Sequence, residues 1–167
     1  MLGDRWNDQL VLWLPFDDGA MDLSDSAHSV QNTDAISGED RFGASDKAYI
    51  FDGESYLQIP PSADFNFGEG EFTISLWVKP LGELTENTVI SRWATGGAGN
   101  VQDAFSLNFF DSTANSATMK WLHTIDGSSD QITNMSPEID ETWMHIIVRR
   151  VEDSISIYRD TQQIGSK

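Results

Sequence analysis

The stretch Phe72-Thr73-Ile74-Ser75-Leu76-Trp77-Val78-Lys79-Pro80 decides the fold class, because its apolar residues recur at every second position. Successive side chains of a β-strand point to opposite faces, so the even-numbered positions share one apolar face and the odd-numbered positions share the other. Pro80 has no main-chain N–H to give to a sheet and ends the strand. The stretch therefore predicts a β-strand that buries one face.

The same alternation recurs along the chain. Trp143 to Val151 and Ser154 to Arg159 alternate on either side of the polar pair Glu152-Asp153, which predicts an antiparallel hairpin. Weaker strand candidates are separated by segments rich in Gly, Ser, Asn and Asp, and no window of ten or more residues has helical apolar spacing. These candidates are Leu10 to Phe16, Ala48 to Phe51, Tyr56 to Pro60, Val89 to Trp93, Phe105 to Phe110 and Met119 to Ile125. The residues alone predict an all-β sandwich or barrel.

Length and charge narrow the classes of function. A chain of 167 residues fits one domain, which we predict over residues 10–167 after an N-terminal arm of residues 1–9. With 27 acidic and 10 basic residues the formal net charge is −17, which disfavours nucleic-acid and membrane-surface binding. The chain has no Cys, and its first residues lack the pattern of a secretion signal.

Six segments resemble, in order, the laminin G-like group of the concanavalin A-like lectin/glucanase superfamily. The resemblance implies a two-sheet antiparallel β-sandwich of the jelly-roll type, and a binding or structural module that is not an enzyme. The segments are Leu12 to Asp17; Arg41 to Gly43 followed by Ala48 to Gly53; Tyr56 to Pro60; Phe72 to Pro80; Trp143 to Val148; and Ile155 to Asp160.

The chain departs from the family pattern at two places. Asp160-Thr161-Gln162-Gln163 stands where the family has Asp-Gly, which predicts a longer or different turn. Family domains continue through further strands, whereas the sequence ends at Lys167, so the jelly roll lacks its closing strand or is completed differently. A missing strand would leave Leu10 to Phe16 at an open edge, and we expect another protein chain or the N-terminal arm to cover it.

Acidic residues at predicted strand ends are candidate ligands of a structural Ca²⁺. Asp17, Asp22 and Asp25 follow the opening strand, and Asp52 ends another strand before Gly53. Related domains often hold Ca²⁺ at such positions through carboxylates and main-chain carbonyls, which suit a hard cation. The alternative interpretation is that these residues only cap loops.

Two tryptophans are candidate sugar-binding residues, because sugars stack their apolar faces on flat aromatic rings. Trp93 borders the Gly-rich loop and Trp121 belongs to a weaker strand candidate. Trp77 and Trp143 lie in the clearest strands, and we assign them to the core. A glycan or surface polymer is then the expected partner.

A hydrolase is the remaining alternative. Glu138-Ile139-Asp140-Glu141 resembles the paired carboxylates of family-16 glycoside hydrolases, but the second Glu comes one residue too early to share a sheet face with the first. The three histidines, His28, His123 and His145, show no spacing typical of metal ligands. The sequence thus favours a non-catalytic glycan-binding or adhesion module. The second interpretation is a structural assembly module on a virion or extracellular filament. Either role implies an extracellular, cell-surface or virion-associated location.

Overall fold

The computed structural model describes residues 9–82, 86–92, 104–111, 117–125, 128–135 and 141–167. Within these ranges the chain forms antiparallel strands and one 3-10 turn, Ala63–Phe65, and no helix there is long and apolar enough to cross a membrane. The strands are β1 Gln31–Thr33, β2 Ile36–Gly38, β3 Ala48–Ile50, β4 Tyr56–Gln58, β5 Phe72–Val78, β6 Glu86–Arg92, β7 Phe105–Asp111, β8 Ala117–Ile125, β9 Ser128–Met135, β10 Met144–Val151, β11 Ser154–Arg159 and β12 Gln162–Ser166.

The chain divides into two compact units, Met1–Phe65 and Asn66–Lys167. The described part of the first unit holds two small antiparallel sheets, β1-β4 and β2-β3. In the second of these Ile36 is paired with Ile50, and both side chains are exposed. The predicted single domain over residues 10–167 stays a prediction, and the predicted arm falls largely outside the described residues.

The second unit contains two four-stranded antiparallel sheets. We call the sheet with strand order β12-β11-β10-β5 the front sheet, and the sheet with order β6-β7-β8-β9 the back sheet. In the front sheet β10 pairs with β5 from Met144↔Val78 to Arg150↔Phe72, and with β11 from Ile146↔Arg159 to Val151↔Ser154. This pairing confirms the predicted hairpin and the predicted all-β, antiparallel architecture.

The inner faces of the two sheets meet in one hydrophobic core. Alternation in β10 buries Met144, Ile146 and Val148, while the residues between them face outward. Complete burial of such a side chain contributes about 1.5–3 kcal/mol. The back sheet supplies the other half of this core, with Phe105, Leu107, Phe109, Met119, Trp121 and Ile132.

Aromatic rings fill one region of this core. Phe67 stacks between Phe72 and Phe105, with ring centroids 4.7 and 5.1 Å apart, and Phe105 stacks in turn on Trp121 at 5.4 Å. Arg150, only 8 % exposed, donates to the main-chain carbonyls of Gly68 and Glu152 at 2.9 and 3.1 Å. The buried guanidinium therefore anchors the segment that follows Phe67.

The predicted opening strand is wrong. Leu10 to Phe16 forms no strand; instead the N–H of Trp13 donates to the Asp22 carboxylate and its carbonyl accepts from Leu23 N–H, both at 2.9 Å. Phe16 has a positive φ of 62°, a value that interrupts extended backbone. Leu10 to Phe16 therefore presents no strand edge that another chain or the N-terminal arm could cover. The binding of another protein chain to an open sheet edge stays a prediction.

Four strands were not expected from the sequence. They are β1 and β2, between the strand candidates Leu10 to Phe16 and Ala48 to Phe51; β9, between the candidates Met119 to Ile125 and Trp143 to Val151; and β12, after the hairpin. Of the longer or different turn predicted after β11, the longer form is wrong, because only Asp160 and Thr161 separate β11 from β12. Asp160 takes a φ of 55°, a conformation that Asp adopts more readily than most residues, and so supports a tight hairpin without glycine.

Candidate functional site

The outer face of the front sheet presents three cross-strand rows of side chains. The odd-numbered positions of β5 and β10 face outward, and β11 and β12 extend the rows. Main-chain pairing between the strands fixes the position of each row within the sheet. The rows are Trp77–His145, Ser75–Ile147–Tyr158–Gln163 and Thr73–Arg149–Ser156–Ser166.

Trp77 is the largest exposed side chain of this face. Its exposed fraction is 43 %, and its ring stacks on that of His145 with centroids 4.9 Å apart and planes 13° apart. The Ser75 hydroxyl lies 2.8 Å from Nε2 of His145. Two directional contacts therefore hold the imidazole ring, which in turn supports the indole ring at the surface.

A second aromatic pair lies along the same face. The guanidinium of Arg149 lies 5.1 Å from the ring centroid of Tyr158 and donates to its hydroxyl at 3.0 Å. Ile147 stands between this pair and His145 on β10. The outer face thus combines flat aromatic surface with hydroxyl, imidazole and guanidinium groups, a combination suited to a ligand that has both apolar faces and hydroxyl groups.

The contact between Ser75 and His145 also has the spacing of a nucleophile and its base. A catalytic base is normally oriented by a third group bound to its ring. The Asp160 carboxylate accepts a hydrogen bond from the main-chain N–H of His145 at 3.1 Å. This bond holds the main chain at the start of β10 and does not orient the imidazole ring. We therefore interpret Ser75 as a residue that positions His145.

The predicted sugar-binding tryptophans do not form this site. Trp121 has no exposed surface and packs between Phe72 and Phe105 in the core, so its ring cannot meet an external sugar, and its assignment to a ligand site is corrected. Trp93 lies outside the described residues. Trp143 is half-buried, whereas the assignment of Trp77 to the core is wrong. The signal for Trp77 was in the sequence, since it alternates with Thr73, Ser75 and Lys79 on the polar face of β5.

Asp22 organises a loop of the first unit. It is 6 % exposed and accepts hydrogen bonds from the N–H groups of Trp13, Ser24 and His28 and from the Ser24 hydroxyl, at 2.8–3.0 Å. Burial raises the pKa of the Asp22 carboxyl, but these four hydrogen bonds outweigh burial and lower the pKa below its ordinary value. The carboxylate is therefore occupied as an acceptor of protein donors.

The other predicted calcium ligands have separate local roles. Asp17 pairs with Lys47 at 3.6 Å, and Asp25 lies exposed in a turn. The Asp52 carboxylate accepts from the N–H groups of Glu54 and Ser55, and hydrogen bonds of Ser55 lower the pKa of Asp52. Within the described ranges no three His, Asp or Glu side chains are grouped so as to hold a metal ion. Ca²⁺ binding through these four residues stays a prediction.

The candidate hydrolase motif is mostly outside the described residues, which resume at Glu141. The Glu141 carboxylate accepts a hydrogen bond from the main-chain N–H of Gly82 at 3.1 Å. This contact gives Glu141 a role in holding the segment after β5.

Comparison with protein families agrees with the two-sheet architecture. A laminin G family model, described as concanavalin A-like lectin/glucanases superfamily, matches residues 51–167, which include both the front and the back sheet. The chain belongs to this superfamily. The resemblance seen in the sequence is thus confirmed, and so is the antiparallel β-sandwich. Comparisons of this laminin G-like chain with curated proteins and with solved structures gave no significant match.

Membership of the superfamily carries a general functional statement. Its laminin G-like domains often bind carbohydrates or mediate adhesion, and they are generally non-catalytic. Because one fold supports many functions, the particular role has to be argued from the site.

Proposed function

We propose that this laminin G-like chain is a non-catalytic module that binds a glycan on the outer face of the front sheet. The observation that carries the proposal is the exposed indole of Trp77, which stacks on the ring of its cross-strand neighbour His145. An aromatic ring held at a fixed angle on a rigid sheet loses little conformational entropy on binding. It offers the flat surface on which the C–H face of a pyranose ring packs.

The neighbouring polar groups fit the same class of ligand. Ser75 and His145 lie beside the indole, and Tyr158 and Arg149 lie across the next rows of the sheet. Hydroxyl, imidazole and guanidinium groups pair with sugar hydroxyls as donors and acceptors. A glycan of two or more residues could therefore stack on Trp77 and extend along the rows towards Tyr158.

The test combines a glycan array with matched aromatic variants. Trp77→Ala should abolish binding to the glycans that the wild-type chain captures. Phe42→Ala is the control, because Phe42 is 78 % exposed but belongs to the first unit and is not part of the front sheet. A chain that captures no glycan, or one whose Trp77→Ala variant binds as well as the Phe42→Ala variant, would refute the proposal.

An assembly module is the second candidate, and exposed apolar side chains of the first unit favour it. Phe42, Ile36, Met21 and Trp13 are each at least half exposed, and exposed large apolar side chains are the kind that an assembly interface buries when they lie together. Light scattering decides between the two: a stable multimer that Ile36→Lys dissociates, together with no glycan binding, would support assembly. A monomer at all concentrations would exclude it.

A further inference from the structure

We propose that Asp18 is a modification site, at which the chain isomerises spontaneously from aspartate to isoaspartate. Asp18 lies in an exposed turn of the first unit and is followed by Gly19. The sequence holds two more Asp-Gly pairs, Asp52-Gly53 and Asp126-Gly127, of which the last lies outside the described residues. The site does not belong to the front sheet and does not depend on the proposed glycan binding.

The reaction takes place within the chain and needs only water. The main-chain nitrogen of Gly19 attacks Cγ of Asp18 and forms a C–N bond, while its proton and the carboxyl OH leave together as water. The product is a five-membered succinimide ring. One water molecule then adds to a ring carbonyl and breaks one of the two C–N bonds. Hydrolysis at the main-chain carbonyl carbon of Asp18 leaves the chain linked through Cβ and Cγ, which is isoaspartate.

The first observation is the conformation of the attacking residue. Glycine has no Cβ to hinder the approach of its nitrogen to the preceding side chain, and it adopts backbone conformations that other residues avoid. Gly19 uses this freedom, with a φ of 93°. Within the described ranges its N–H donates no hydrogen bond. No hydrogen bond to a described residue therefore has to break before the Gly19 nitrogen attacks.

The second observation is the freedom of the Asp18 carboxylate. The side chain is exposed, and it takes part in no hydrogen bond or ion pair in the part of the chain that the structure describes. Its neighbour Asp17, by contrast, pairs with Lys47 at 3.6 Å. The Asp18 side chain can therefore rotate to present Cγ to the Gly19 nitrogen without losing a polar contact to these residues.

Asp52-Gly53 provides a comparison within the same chain. Asp52 is also exposed, and Gly53 also has a positive φ, of 97°. The Asp52 carboxylate, however, accepts hydrogen bonds from the N–H groups of Glu54 and Ser55 at 3.1 and 2.9 Å, and both must break before Cγ turns towards Gly53. Hydrogen bonds with Ser55 also lower the pKa of Asp52, which reduces the neutral acid form from which water leaves. Asp52 is therefore protected in a way that Asp18 is not.

Isomerisation at Asp18 changes the main chain inside a closed loop. Isoaspartate adds one carbon atom to the main chain and places the free carboxylate on Cα. The N–H of Trp13 donates to Asp22 and its carbonyl accepts from Leu23, both at 2.9 Å, so the two ends of the loop are tied together. The Asp17 carbonyl, directly before the modified residue, accepts from the Lys47 ammonium. The modification therefore alters this loop and its contact with Lys47 as the protein ages.

The test is to age the folded wild-type chain at neutral pH and to map its peptides by mass spectrometry, with fragmentation that distinguishes isoaspartate from aspartate. We expect isoaspartate to form at Asp18 at least about fivefold faster than at Asp52, since one net hydrogen bond changes an equilibrium by about that factor. In urea, which removes the hydrogen bonds of Asp52, the two rates should become equal. Equal rates in the folded chain, or an Asp18 that isomerises in urea but stays aspartate in the folded chain, would overturn the proposal.

Asp18→Glu is the matched variant, because it keeps the charge but would have to close a six-membered ring, which forms far more slowly. Isoaspartate should disappear from the peptide that contains residue 18, while the rate at Asp52 stays as in the wild-type chain. The same maps report Asp126 separately. If the variant peptide carries as much isoaspartate as the wild-type peptide, the modified residue is Asp17 and the proposal is wrong.

Discussion

The two faces of the front sheet differ in what their side chains do, although the same strands make both. On the inner face of β10, Met144, Ile146 and Val148 are fully buried, while on the outer face His145 and Arg149 meet solvent and aromatic rings. The inner face packs against Trp121 of the back sheet through Phe72, whereas the outer face presents Trp77 to solvent. Residue type alone therefore does not indicate a role, whereas the face on which a residue lies does.

The largest difference between the core and the outer face is expected in the stability lost on Trp121→Ala. Removing a fully buried ring that packs between Phe72 and Phe105 should lower the free energy of unfolding by about 3–5 kcal/mol, through lost burial and the cavity that remains. Trp77→Ala is the matched control and should cost about 1 kcal/mol or less, because its ring is partly exposed and loses chiefly its contact with His145. Urea denaturation of both variants measures the difference. Equal losses would contradict the assignment of the two faces.

The next largest loss of stability is expected at Arg150, the charged residue on the inner face of β10. Arg150→Met keeps most of the side-chain volume but leaves the carbonyls of Gly68 and Glu152 without their donor, so we expect a loss of about 2–3 kcal/mol. Arg149→Met, one position away on the outer face, is the control and should cost much less. Thermal and urea denaturation give both values. If the Arg150→Met variant is as stable as the wild-type chain, the buried guanidinium does not anchor the segment that follows Phe67.

Much of the fold could be predicted because alternation is a local property of the sequence. The stretch from Phe72 to Pro80 and the hairpin from Trp143 to Arg159 each display their buried face within a few residues. Strands without such alternation, such as Gln31–Thr33, depend on a distant partner, Tyr56–Gln58, and could not be identified locally. The reverse error at Leu10 to Phe16 arose because an apolar run resembles a strand even where a buried carboxylate fixes the chain differently.

The site was harder to predict than the fold for a related reason. Trp121 was chosen because its strand looked weak, yet cross-strand pairing with Leu107 and Ile132 places it in the core. Trp77 was set aside because its strand looked strong, although its alternation with Thr73 and Ser75 already placed it on the polar face. His145 and Ser75 are 70 residues apart, and only the register of β5 against β10 brings them together.

A smaller loss of stability is expected in the first unit, from replacing the buried carboxylate of Asp22. The lowered pKa of Asp22 means that its charged form stabilises the fold at pH values above the unfolded pKa of about 3.9, and that this stabilisation is lost as the pH falls through the lower folded pKa. Asp22→Asn should therefore cost about 1–2 kcal/mol at pH 7 and progressively less below pH 4. Denaturation of both proteins from pH 7 to pH 3 tests this. A gap that stays constant over that range would contradict the role given to the charged carboxylate.

The smallest effect on stability is expected from Ser75→Ala, and it tests whether the outer face is organised for binding. Ser75 is exposed, so removing its hydroxyl should change the free energy of unfolding by less than about 0.5 kcal/mol. The change frees His145 from its contact at 2.8 Å and leaves the support of Trp77 less well ordered. Glycan affinity should then fall several-fold while the melting temperature stays the same. Thr73→Ala, at the far end of β5, is the control, and an equal loss of affinity in both variants would show that the position of His145 does not matter.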